Sequence, residues 1–178
     1  MISTVSGIYR RILMAYDGSV EGRSALREGA LLARQCGAEV FLLAVVNETG
    51  SLGAAEGLHA GPVSLVCDRY GEVLEYGLAR LRQLGLVPQG QLAVGEPSRV
   101  IGDYARKVAA DLVIVSHRRQ NLLERWWSGS SGSNLLEYLG CSLLISRNVM
   151  SDRDFAAEVE RYSTAASSDP ALFGPGAR

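Results

Sequence analysis

Apolar residues in this chain fall into short unbroken runs separated by longer stretches with helical spacing. Residues 12–16 (ILMAY) form the first run and predict a strand buried on both faces. The turn Asp17-Gly18-Ser19 follows, with Ser19 as a candidate N-cap for a helix reaching Cys36. Leu26, Ala30 and Ala33 hold the three-four spacing, and Gly37 is placed to close the helix. Residues 40–46 (VFLLAVV) predict a second buried strand, and residues 47–62 (NETGSLGAAEGLHAGP) a long surface loop without a period. Val66, Tyr70, Val73, Leu74, Gly77, Leu78 and Leu81 mark a helix over residues 63–84, ended by Gly85. Residues 91–94 read as a third strand, and Gly95-Glu96-Pro97 turns the chain into a helix with Pro97 in its first turn. Val100, Ile101, Tyr104, Ala105 and Val108 give that helix a buried face. Residues 112–115 (LVIV) and Ser142–Ser146 (SLLIS) are the last two strands, joined by a long connection with a helix expected over residues 130–138. Beyond them, Phe155, Val159 and Tyr162 can line a short helix, and residues 167–178 read as a loose tail.

Alternation of this kind argues for a parallel sheet with helices on both faces, and right-handed crossovers narrow the topologies further. A length of 178 residues fits one domain, and 47% apolar with 21% charged residues is the balance of an ordinary globular protein. The net charge of −1 supplies no basic field, so no nucleic acid partner is expected. Cys36, Cys67 and Cys141 are widely separated and odd in number, which argues against a zinc site or a dithiol motif. Reduced thiols buried as small apolar groups are the simplest reading. The first residues carry no apolar secretion core, and a longest apolar run of seven residues, 40–46, is far short of a membrane span. The expectation is a cytoplasmic protein with no membrane contact.

Ligands in open parallel sheets bind beyond the carboxyl ends of the strands, where the strand order reverses. Two stretches suit that rim, residues 15–19 and residues 116–133, and a reversal between the first and fourth strands would bring them together. Residues 128–133 (SGSSGS) lead into a helix, where free N–H groups and the helix dipole favour an anion. Those serines can equally be caps, and the glycines turn formers. Arg118, Arg119 and Arg125 are either a solvated basic loop or guanidinium donors for a phosphate. His117 is either a ligand contact or a solvent-facing histidine. Trp126 and Trp127 would point about 100° apart on a helix, one packing inward and the other covering a ligand or a partner. No P-loop, dinucleotide glycine motif, nucleophile elbow or metal-ligand spacing occurs. No nucleophile, base and orienting group can be placed together, so no catalytic residue and no metal ligand is named.

Taken in order, RRILMAYDGSVEGRSAL, Gly95-Glu96-Pro97, the long loop with its Gly-Ser helix start, and Cys141-Ser142-Leu143-Leu144-Ile145 resemble the universal stress protein family. The resemblance runs over residues 10–147. Nucleotide-binding members carry G-x2-G-x9-G-[S/T] after the fourth strand. Here Ser116 and Arg119 fall at the first two glycines, while Gly129 and Ser130 match. The resemblance implies a Rossmann-like three-layer α/β sandwich around a five-stranded parallel sheet of order 3-2-1-4-5, akin to the adenine nucleotide α-hydrolases. It implies a universal stress protein domain over residues 1–148 and a C-terminal extension, residues 149–178, partly helical or disordered. It implies an adenine nucleotide, AMP or ATP, with or without Mg2+, held by Ala15, Tyr16, Asp17, Val45, Ser116, His117, Arg119, Gly129, Ser130 and Ser131. Asp17 would accept from the adenine amino group or hold magnesium through water, unless it caps its own turn. A homodimer through Ser142–Ser146 is implied as well, and that apolar strand would otherwise be an exposed edge. Two rivals stay open: a protein of this fold that binds no nucleotide and works through dimerisation and partners, and a slow ATP-hydrolysing or nucleotide-transferring enzyme.

Overall fold

The computed structural model describes residues 7–47, 63–116, 135–147 and 150–168. In chain order these form β1 (Arg11–Ala15), α1 (Val20–Cys36), β2 (Glu39–Val46), α2 (Val63–Gln83), β3 (Gln89–Val94), α3 (Pro97–Lys107), β4 (Leu112–Ser116), α4 (Leu135–Tyr138), β5 (Ser142–Ser146) and α5 (Asp152–Ser168). The five strands make one parallel sheet in the order β3-β2-β1-β4-β5. That is the order expected from the resemblance.

Side chains alternate across a strand, so the sheet divides its apolar residues between two cores. Ile12, Met14 and Tyr16 join Val40, Leu42 and Ala44 beneath α1 and α2, where Leu26, Ala30, Leu74, Leu78 and Leu81 close the layer. Leu13, Phe41, Leu43, Val113 and Val115 face the other way, against Ile101 and Ala105 of α3 and Leu135 of α4. Each large side chain buried in this way contributes about 1.5–3 kcal/mol. Both faces of the central strands are covered, and this is why their sequences are apolar throughout.

The helix ends follow local chemistry. Ser19 caps α1 by accepting from the Gly22 N–H at 2.9 Å, and a left-handed Gly37 closes it. At the amino rim of the sheet, Asp111 accepts from the Arg10 and Arg11 N–H groups at 2.7 and 3.1 Å, pinning the start of β1 beside β4.

Three details differ from the sequence reading. β3 starts at Gln89, two residues earlier than its apolar pattern shows, because its first residues are exposed at a sheet edge. The three thiols are free as expected, but half-buried rather than buried. The C-terminal helix is 17 residues long and takes in Ser167 and Ser168, which had read as tail. It lies against α1 and α2, with Phe155 5% exposed and lining a small cavity together with Leu26, Tyr76 and Leu84. Asp152 pairs with Arg27 and lies 3.6 Å from Arg80. The Asp152 side chain is 73% exposed, so its pairs are worth about 0–1 kcal/mol. Burying Phe155, at about 1.5–3 kcal/mol, is the larger contribution to docking.

Candidate functional site

β1 has β2 on one side and β4 on the other, and the chain crosses from β3 to β4 to reach the second side. The order therefore reverses between β1 and β4, and a crevice is expected beyond their carboxyl ends. A cleft of about 610 Å3, part of it open to solvent, lies there. Its strand-borne walls are Ala15, Tyr16 and Asp17 after β1, Leu43, Val45 and Asn47 at the end of β2, and Val115 and Ser116 at the end of β4. Tyr70 of α2 and Pro97 and Ile101 of α3 complete the described lining.

Ala15, Leu43, Val45, Ile101 and Val115 give this cleft an apolar floor, and Asp17, Asn47, Tyr70 and Ser116 give it polar margins. A flat ring with polar edges suits such a lining. The ladder supplies backbone groups as well. Leu43 accepts from the Tyr16 N–H at 2.9 Å, and Val46 accepts from the Gly95 N–H at 2.9 Å. Odd-numbered residues of β2 thus face β1, and even-numbered ones face β3. Val45 turns its N–H and C=O towards β1, past the last pairing at Ala15↔Leu43.

The described residues among those expected from sequence each have their own place in this geometry. The Asp17 Oδ1 accepts from the Ser19 N–H at 3.0 Å and from the Ser19 Oγ–H at 2.6 Å, so Asp17 braces its own turn while lining the cleft. Gly18 carries that turn at φ 74°, and a Cβ there would come within 2.9 Å of Val73. Tyr16 is 4% exposed, with its ring in the core below α2. A Cβ on Gly77 would approach the Tyr16 Cε1 to 2.9 Å, so the helix has no room for a larger residue there. Burial raises the Tyr16 pKa, Arg23 pulls it down, Tyr76 and Asp17 add to the rise, and Arg27 opposes it. Tyr16 therefore keeps its proton at neutral pH and is no base. Ser116 ends β4, half-buried on the cleft wall.

Ala15, Tyr16, Asp17, Val45 and Ser116 thus come together. His117, Arg119, Gly129, Ser130 and Ser131 lie outside the described residues, as do Arg118, Arg125 and both tryptophans. The sequence reading passed over Leu43, Asn47, Tyr70, Pro97, Ile101 and Val115. Of these, Pro97 had a signal in the turn Gly95-Glu96-Pro97, and Val115 directly precedes Ser116. Glu96 caps α3, accepting from the Ser98 and Arg99 N–H groups at 3.2 and 2.8 Å. Among the described residues, no group of three His, Cys, Asp or Glu side chains could hold a metal ion, and no helix is long and apolar enough to cross a membrane.

Comparison with known proteins adds the following. Residues 8–147 match the sequence model of the universal stress protein family. A universal stress protein of Methanocaldococcus jannaschii, MJ0531, is 25% identical over 146 residues, which is 82% of this chain and 86% of that protein. The universal stress protein of Archaeoglobus fulgidus in complex with dAMP has a similar structure, with TM-score 0.53 and 20% identity over 78% of this chain and 98% of that one. So does a universal stress protein family protein of Arabidopsis thaliana with AMP bound, with TM-score 0.52 and 16% identity over 76% and 90% of the two chains.

Proposed function

The chain belongs to the universal stress protein family, and on that premise we propose that its cleft binds an adenine nucleotide and that occupancy of the cleft is the signal the protein carries. The observation that supports this most directly is the apolar floor between β1, β2 and β4, with the Val45 backbone and Asp17 at its margins. The adenine ring lies on Ala15, Leu43 and Val115, its edge meets the Val45 backbone, and the ribose runs towards Ser116. Phosphates then reach His117, Arg119, Gly129, Ser130 and Ser131, with or without Mg2+. Solved relatives with dAMP and AMP support the ligand class.

Other parts of the reading follow from the same fold. β5 is an edge of the sheet, and its Leu143, Leu144 and Ile145 are half-buried. Pairing of β5 with the β5 of a second copy would cover that edge, so the protein is a homodimer in the cytoplasm, and sedimentation at monomer mass would refute the dimer.

Calorimetric titration with AMP, ADP, ATP and cyclic AMP, each with and without magnesium, tests the ligand. Saturable heat with at least one of them is expected, and silence with all eight mixtures would reject nucleotide binding. Release of phosphate from bound ATP would instead point to slow hydrolysis. One feature favours a second reading, in which the cleft takes no nucleotide and the protein acts through its partners. Ser116 and Arg119 stand where the nucleotide-binding pattern has glycines. An added Cβ at such a position restricts the backbone's approach to a ribose.

A further inference from the structure

Arg23 stands between two parts of the molecule. Its Nη1 donates to the Gly18 carbonyl at 3.1 Å, in the turn that carries Asp17 to the cleft. The same side chain lines a small cavity to which Phe155 of α5 contributes a wall. A second connection runs through α2. Tyr76 lines that same cavity, its neighbour Gly77 packs on the Tyr16 ring, and Val73, one turn earlier, packs behind Gly18. The start of α5 is fixed to α1 just beyond Arg23. Arg27, with its side chain 17% exposed, donates to the Met150 carbonyl at 2.8 Å and pairs with Asp152. The Met150 N–H donates to the Ser24 hydroxyl at 2.9 Å.

We propose that α5 is a strap that holds the 17–19 turn in shape, with Arg23 as the positioning residue between them. When α5 is undocked, the pocket wall beside Arg23 is lost, its guanidinium gains other rotamers, and the Gly18 carbonyl loses its donor. The turn then moves more freely, and with it the carboxylate at the margin of the cleft. A ligand that binds the ordered turn favours docked α5, and docked α5 favours that ligand by the same factor. Only this second, ligand-coupled half rests on the nucleotide reading. The contact between strap and turn stands without it.

Amide hydrogen exchange on the full chain tests the strap directly. In Phe155→Ala the Ser19 and Gly22 amides should exchange about tenfold faster than in the parent, and in Asp152→Asn about two- to threefold faster. Amides of Gly95 and Val100, in the turn that starts α3, and those of β1 and β2 should not change, which also shows that the variants fold. Arg23→Gln should loosen the same two amides with α5 still docked, and adding Phe155→Ala to it should add little. Loss of protection along α5 with no change at Ser19 and Gly22 would overturn the proposal. AMP titration of the same proteins then reads the coupling. Several-fold weaker binding in Phe155→Ala supports it, and equal binding by parent and variant refutes it. A faster turn in the variants together with a parent that binds no nucleotide supports the strap and ends only the nucleotide reading.

Discussion

Two helices begin at the cleft rim, α1 after β1 and α3 after β3, and they solve the same problem differently. Each follows a glycine in a left-handed or extended positive-φ conformation, Gly18 at 74° and Gly95 at 148°. At α3 the cap is itself a carboxylate. Glu96 takes the Ser98 and Arg99 N–H groups, Pro97 has no N–H, and the Val100 N–H goes to the Glu96 carbonyl. The first turn of α3 therefore has no donor left for an incoming anion, and a negative charge already sits where the dipole favours one. At α1 the cap is a hydroxyl, and the carboxylate, Asp17, stands before the helix with one oxygen on Ser19 and its side chain on the cleft. A phosphate would meet a carboxylate at either start. The starts of α1 and α3 are thus poor anion sites, which leaves residues 128–133, outside the described residues, as the place proposed for the phosphates.

The largest effect should come from placing a charge within residues 128–133. Gly129→Asp is expected to weaken AMP binding by about a hundredfold or more, since like charges about 4 Å apart repel by roughly 4 kcal/mol near a protein surface. Its melting temperature should stay near that of the parent. Full affinity in the titration would place the phosphates elsewhere and reopen α1 and α3 as anion sites. A smaller effect separates α1 from α3. Ser19→Ala and Glu96→Ala should each cost about 1 kcal/mol in urea unfolding, the usual loss for a helix cap. Only Ser19→Ala should also weaken AMP, by several-fold, because Asp17 loses the hydroxyl that holds its Oδ1. A larger loss of AMP affinity in Glu96→Ala would reverse the roles assigned to the two turns.

The same contrast shows what could be read from sequence. Ser19 and Gly37 bracket α1 with residues whose local chemistry suits caps, so both ends were legible. The start of α3 was visible through Pro97, but its cap was not, since glutamate is an uncommon N-cap and acts here by reaching two N–H groups with two oxygens. The central strands were legible because parallel strands covered on both faces must be apolar, while their order came from the resemblance. Ala15, Tyr16, Asp17 and Ser116 were legible because they lie where the first and fourth runs stop at the rim, whereas Val45 came from the resemblance and Leu43, Asn47 and Val115 were passed over. Tyr70 and Ile101 were not legible, because on their own helices they look like ordinary members of a buried face. Nor was the docking of α5, whose ion pair joins Arg27 to a residue 125 positions away. Nothing in the local pattern of either segment names the other.

The smallest effect concerns pH, and it tests whether the α1 wall of the cleft is closed core. An ordinary tyrosine ionises near pH 10. The raised pKa of Tyr16 comes first from burial, which penalises the phenolate. Below about pH 10 the phenol is neutral in both folded and unfolded chains, and Tyr16 adds no pH dependence. As the pH rises further, the unfolded chain loses this proton first, and stability falls until the folded phenol ionises as well. Tyr16→Phe should remove that part of the alkaline decline, so the stabilities of parent and variant should diverge as the pH rises above about 10 in urea unfolding. Tyr104 on α3 and Cys141 before β5 also have pKa values raised by burial, but both are present in parent and variant and cancel in the difference. Curves that run parallel through this range would mean that Tyr16 is as well solvated as a free tyrosine. The core beside the cleft, where the Tyr16 ring packs, would then be open to water.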